Sequence, residues 1–108
     1  MKFILTESKL ENIIFKYLDN QDFIKIEKNE SVYFLNSVDD EYAQIIYNKN
    51  NGWCYIYHDL VQEISSFFSL EEYDSEHLIG KWVENILQMK VSNTRSPALA
   101  RRFQVENT

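Results

Sequence analysis

Cys54 and His58 are the first residues in this chain whose types suggest chemistry, a thiol nucleophile with an imidazole base. Their spacing argues against it. Four residues of extended chain span about 13 Å, so the two side chains share a strand face without touching. A dyad would need His77 brought in by the fold, and no third group to orient the base is identifiable, so Cys54 reads as a buried thiol beside Ile56. His58, Asp59, Glu76 and His77 carry metal-binding atoms but lack a recognisable spacing, such as two histidines at i and i+4 on one helix. His58 is expected at a strand–helix junction and His77 on the rim of the last helix. Neither a metal nor another cofactor is expected.

Asp39, Asp40 and Glu41 form a carboxylate triplet without the alternating ligands and central glycine of a calcium loop. It reads either as a solvated turn or as a recognition site for a basic partner. Carboxylate pairs that do acid–base work need environments that separate their pKa values, and the acids here fall mostly on polar helix faces. Gly52 and Gly80 are the only glycines, so no glycine-rich phosphate loop exists. With no catalytic motif, a non-enzymatic role is the leading expectation.

The charge pattern says more about partners. Between Asn50 and Gly80 there is no Lys or Arg, yet the stretch carries Asp59, Glu63, Glu71, Glu72, Asp74 and Glu76. Residues 1–94 hold eight Lys against sixteen Asp and Glu, a net of −8, whereas residues 95–108 hold three Arg against one Glu, a net of +2. An acidic body repels phosphate, which disfavours nucleic acid and favours another protein with a basic surface. The apolar fraction of 44% over 108 residues is that of one globular domain able to bury a core without staples. A lone cysteine suits a reducing compartment. The opening Met1-Lys2-Phe3-Ile4-Leu5 is too short an apolar run for a secretory leader, and no run approaches a membrane span. The expectation is a soluble, cytoplasmic protein that does not engage a membrane.

The elements that position these groups follow from periodicity. Ser8 to Glu11 fits a capping box, and Leu10, Ile13, Ile14, Tyr17 and Leu18 mark one face of a helix ending near Asp19-Asn20. Phe23–Glu27, Val32–Val38, Ala43–Asn48 and Trp53–Tyr57 read as four strands of an antiparallel meander, with turn compositions between them. A two-residue Asn51-Gly52 turn would set Tyr55 opposite Asn48 and Tyr57 opposite Ile46. Asp59 to Gln62 resembles a capping box for a second helix carrying Leu60, Ile64, Phe67 and Phe68. A third helix is expected from Ser75 to about Gln88, with Gly80 placed where another backbone passes closely. A short strand is expected over Val91–Asn93. The fold class is thus α+β: an N-terminal helix, a four-stranded antiparallel meander, two C-terminal helices and an irregular basic tail, as one domain over 1–94 with the tail at 95–108. Leu10, Ile14, Leu18, Ile45, Ile56, Ile64, Phe68, Ile79, Trp82 and Ile86 are the expected core.

Alternation puts Trp53, Tyr55 and Tyr57 on one strand face, opposite Cys54 and Ile56. That aromatic face is either a second buried face or a recognition surface. The tail bearing Arg95, Leu99, Arg101, Arg102 and Phe103 either lies against the acidic body or docks on a neighbouring subunit. These features point to a small protein-binding module acting through an acidic, aromatic-bearing surface, in one form an inhibitor or immunity-type protein. The alternatives are a homo-oligomeric subunit assembled through the aromatic face or the tail, and a small hydrolase or ligand-binding fold.

Overall fold

A computed structural model describes residues 7–97 and 103–105. The side chain of Ser8, the opening Met1–Leu5 and the tail residues Leu99, Arg101 and Arg102 lie outside the described residues. The elements run α1 (Glu7–Asp19), β1 (Ile24–Lys28), β2 (Ser31–Leu35), β3 (Ile45–Asn48), β4 (Trp53–Ile56), α2 (His58–Phe68), α3 (Glu72–Leu87) and β5 (Asn93–Arg95). Among the described residues, no helix is long and apolar enough to cross a membrane.

The class is α+β, with one correction to the sheet. Strands β1 to β4 form the antiparallel meander, but a fifth strand joins it, and β5 runs parallel to β4. The α2–α3 pair supplies the long crossover that a parallel neighbour requires. The short strand lies two residues beyond the expected Val91–Asn93, over three residues with no apolar alternation.

Turn chemistry sets the strand ends. Ser37 and Asp40 fold the chain after β2: the Ser37 amide donates to Asp40 Oδ2 at 3.0 Å and the Asp40 amide to the Ser37 carbonyl at 3.1 Å. Val38 is therefore left exposed in a turn instead of extending the strand. The β3–β4 loop spans four residues, because Asn48 pairs with Trp53 and Ile46 with Tyr55. Asn48 Oδ1 accepts from the Asn50 amide at 2.9 Å, and Asn51 Oδ1 accepts from the Trp53 amide at 2.9 Å. Those side-chain bonds favour the wider loop over the two-residue turn. The register shifts by two residues, which preserves every face assignment.

The two sheet faces carry separate cores. On the first, Val32, Phe34, Ile45, Tyr47, Cys54 and Ile56 meet the three helices through Ile14, Leu18, Ile64, Ile79, Trp82 and Val83. The Phe23, Phe34 and Trp82 rings converge at this centre, with centroid separations of 5.5–6.4 Å, and Trp82 Nε1 donates to Asp19 Oδ1 at 2.9 Å. Leu10, Phe68 and Ile86 are only partly buried at its margin. On the second face, Tyr33, Leu35, Ala43 and Ile46 cluster with Phe103.

Neither α2 nor α3 has a side-chain N-cap. Helix α2 starts at His58, one residue ahead of Asp59, and α3 starts at Glu72, most of a turn ahead of Ser75. Ser75 is fully buried as a result, and Ser65 Oγ donates to its hydroxyl at 2.8 Å where the two helices cross.

At the α1–α2 contact the Tyr17 hydroxyl donates to Glu63 Oε2 at 2.6 Å. That bond, then partial burial and the Glu63 charge, raise the phenol from 10.0 to about 12. The folded value lies above the unfolded one, so the contribution to stability is complete below pH 10.0 and is lost as the pH rises toward about 12. Alkaline titration of unfolding should show this decline in the native protein and a flatter profile in Tyr17→Phe. Identical profiles would remove the bond from the account.

Candidate functional site

Both glycines serve the segment that leads into and forms β5. A Cβ at Gly80 would lie 2.6 Å from Thr94 Cγ2, and one at Gly52 would lie 2.6 Å from Ser92 Oγ and 3.1 Å from the Lys90 carbonyl. Gly52 also takes a φ of +73°, and its carbonyl accepts from the Ser92 amide at 2.7 Å. The absence of two side chains thus lets residues 90–94 settle against α3 and the β3–β4 loop. The Tyr47 hydroxyl, donating to the Lys90 carbonyl at 2.8 Å, and Glu84 Oε2, accepting from the Val91 amide at 2.9 Å, fix its start.

Between β5 and α3 lies a groove of about 690 Å³. It is lined by Val91–Ser96 and by Val61 and Gly80. It also brings together Glu72, Tyr73, Glu76 and His77 from α3 and His58 from the start of α2. These residues all come from the stretch without Lys or Arg, and Lys81 and Glu84 of α3 and Arg95 of β5 also line the groove. Tyr73 is 77% exposed and stacks on His77 with rings nearly parallel, 6° apart and 6.5 Å between centroids.

His58 links three elements at the groove's end. Its Nδ1 lies 3.3 Å from Ser96 Oγ and its Nε2 lies 3.7 Å from Glu72 Oε1. The order Ser–His–Glu resembles a nucleophile relay, but 3.7 Å is beyond hydrogen-bond range, so the carboxylate does not orient the imidazole for base catalysis. The contacts instead fasten the end of β5 to both helices.

The other candidate residues lie elsewhere. Cys54 is fully buried in the first core, where burial, and secondarily the Glu76 charge, push its thiol well above the ordinary range. It presents no thiolate to the groove. Cys54→Ala should lower stability modestly and Cys54→Ser more, because a hydroxyl in that dry site lacks a partner. Denaturant midpoints in the reverse order would show that the site admits water. Among the described residues, no group of three or more His, Cys, Asp and Glu side chains is placed to hold a metal.

Trp53, Tyr55 and Tyr57 are half-buried on the second sheet face, and the Arg95 guanidinium lies over the Trp53 ring, 5.1 Å from its centroid. Cation–π attraction explains that placement. Tyr57 packs against Phe103 at 5.3 Å. Asp39 and Glu41 are exposed, and Asp40 caps its own turn. These carboxylates therefore sit at the far side of the sheet from the β5 groove, beside Gln104 and Val105. Glu72, Tyr73, Thr94 and Ser96 were not singled out by motif, and Glu76 was weighed only as a metal ligand, although the charge pattern and Gly80 both marked the region. No protein-family model, curated protein or solved structure matches the chain.

Proposed function

We propose that the protein is a protein-binding module that takes an extended, basic segment of a partner along the groove between β5 and α3. One observation carries this reading. Strand β5 ends the sheet with a single neighbour among the described residues, and the groove that it lines with α3 carries three helix carboxylates, Glu72, Glu76 and Glu84, together with Lys81. An edge strand directs the amides and carbonyls of alternate residues away from its only neighbour, a template for an incoming chain. Strand addition beside a helix gives affinity through backbone bonds and selectivity through side chains that reach the helix. Glu72 and Glu76 favour Lys or Arg there, and the Tyr73–His77 stack offers a flat rim on which a guanidinium can lie. Short reach along a three-residue edge keeps the backbone contribution small, so the carboxylates carry much of the selection. A module that covers a basic site of a toxin, nuclease or other enzyme in this way would act as an inhibitor.

Selection of a random peptide library against the full-length protein tests this. Enriched peptides should be rich in Lys and Arg, and Glu72→Gln combined with Glu76→Gln should weaken their binding about tenfold or more, equivalent to about 1.4 kcal/mol. Absence of enrichment, or peptides whose affinity ignores both substitutions, would contradict the proposal.

A further inference from the structure

The two elements that line the groove run antiparallel to each other. Glu84 Oε2 accepts from the Val91 amide at 2.9 Å, and a Cβ at Gly80 would meet Thr94 Cγ2 at 2.6 Å. Glu72 lies beside His58, whose Nδ1 is 3.3 Å from Ser96 Oγ. Rising numbers on β5 thus meet falling numbers on α3, and a segment added along β5, in either direction, follows the helix axis. Glu72 and Glu76 both line the groove and sit four residues apart on one helix face, separated by about 6 Å along the axis. Alternate side chains of an extended chain share one face and lie about 6.8 Å apart. Two cations at alternate positions of the segment therefore reach both carboxylates, whereas adjacent cations point to opposite faces.

Strand β5 also shows what the intervening residue meets. Thr94 turns toward α3 and Ser96 toward His58. Arg95 between them turns to the other sheet face, where its guanidinium lies over the Trp53 ring, 5.1 Å from the centroid. The middle residue of an added strand falls on that same face, beside Arg95, where a cation is repelled and a carboxylate attracted. The remaining charges of the lining are committed within the fold. Glu84 holds the Val91 amide, and Lys81 Nζ lies 3.7 Å from Glu11 Oε2. Resting on the groove reading above, we infer that the partner segment is a strand of alternating charge, basic–acidic–basic. Its two cations meet Glu72 and Glu76, and the carboxylate between them meets Arg95. The spacing of the acids on α3 selects the alternation, and Arg95 selects the sign of the middle residue.

Three synthetic peptides in one Thr- and Val-rich extended host test this with the full-length protein. They carry Arg-Glu-Arg, the same residues reordered as Arg-Arg-Glu, or Arg-Lys-Arg. Arg-Glu-Arg should bind about tenfold more tightly than Arg-Arg-Glu, since reordering misplaces one cation and sets another beside Arg95. Glu72→Gln combined with Glu76→Gln should shrink that preference. In Arg95→Glu, Arg-Lys-Arg should overtake Arg-Glu-Arg. A general loosening of β5 would weaken both peptides and would not reverse their order. Equal affinity of Arg-Glu-Arg and Arg-Arg-Glu, with both weakened by the Glu72 and Glu76 substitutions, overturns the alternation and leaves the groove reading standing. An unchanged order of Arg-Glu-Arg over Arg-Lys-Arg in Arg95→Glu overturns the placement of the middle residue. Binding of none of the three peptides overturns the groove reading, and this inference with it.

Discussion

Trp82→Ala should lower the stability of the protein by about 3–5 kcal/mol, the range found for truncating a large buried aromatic. The indole is 4% exposed and packs against Phe23 and Phe34 where the sheet meets α3. Its loss removes the apolar contact and leaves a void that neighbouring β-sheet side chains cannot close without moving backbone. It also removes the donor to Asp19 Oδ1, which lies at the end of α1. Because a domain of this size holds only about 5–15 kcal/mol in total, the variant should unfold at much lower urea, with an unchanged slope. A midpoint equal to that of the wild type would show that the α3 face is wrongly assigned to the core.

Gly80→Leu should have the second largest effect, and it acts on the groove as well as on stability. Any Cβ at this position meets Thr94 Cγ2 at 2.6 Å, so the Thr94 side chain must turn away, β5 must lift from α3 or the helix must shift, and the larger leucine demands more than the first of these. Overpacking of this kind costs about 1–3 kcal/mol and occasionally more. Gly80→Ala is milder, since removal of a helix-interior glycine returns about 1 kcal/mol of helix propensity. Pairing either change with Thr94→Ala should recover part of the loss, because the clash is with that side chain. Denaturation of the five variants, the Thr94→Ala single included, measures the coupling. Strictly additive losses would mean that β5 does not rest on Gly80.

The helices and the meander were legible because their periods are long and regular. Ile14 and Leu18 in α1, Ile79, Trp82 and Val83 in α3, and the alternation through Ile45 and Ile56 each report a buried face directly. The β3–β4 register was not legible, because Asn48 and Asn51 add side-chain bonds that widen the loop, and an Asn-Gly signal cannot show them. The start of α3 was missed for a related reason. Glu72 to Asp74 carry no apolar residue on the buried side, and the helix there is held by its crossing with α2 through Ser65 and Ser75. Strand β5 was legible only as a short strand placed two residues early: Asn93, Thr94 and Arg95 show no apolar alternation, and the strand exists through its pairing with β4 and the space above Gly80. The groove depends on that strand, so its residues could be recognised only as a charge pattern. His58 and Ser96, 38 positions apart, meet only through the crossover.

The central claim is that a partner segment adds to the open edge of β5 against the α3 carboxylates. Amide hydrogen exchange of the full-length protein, free and saturated with a selected Lys/Arg-rich peptide, tests it residue by residue. Binding should slow exchange at the β5 amide or amides that face away from β4, within Asn93–Arg95, and should shift the Glu76 and His77 resonances, while the β1 edge at Ile24–Lys28 stays unchanged. Saturated binding that leaves the exchange of Asn93–Arg95 unaltered, or that protects β1 instead, would contradict it.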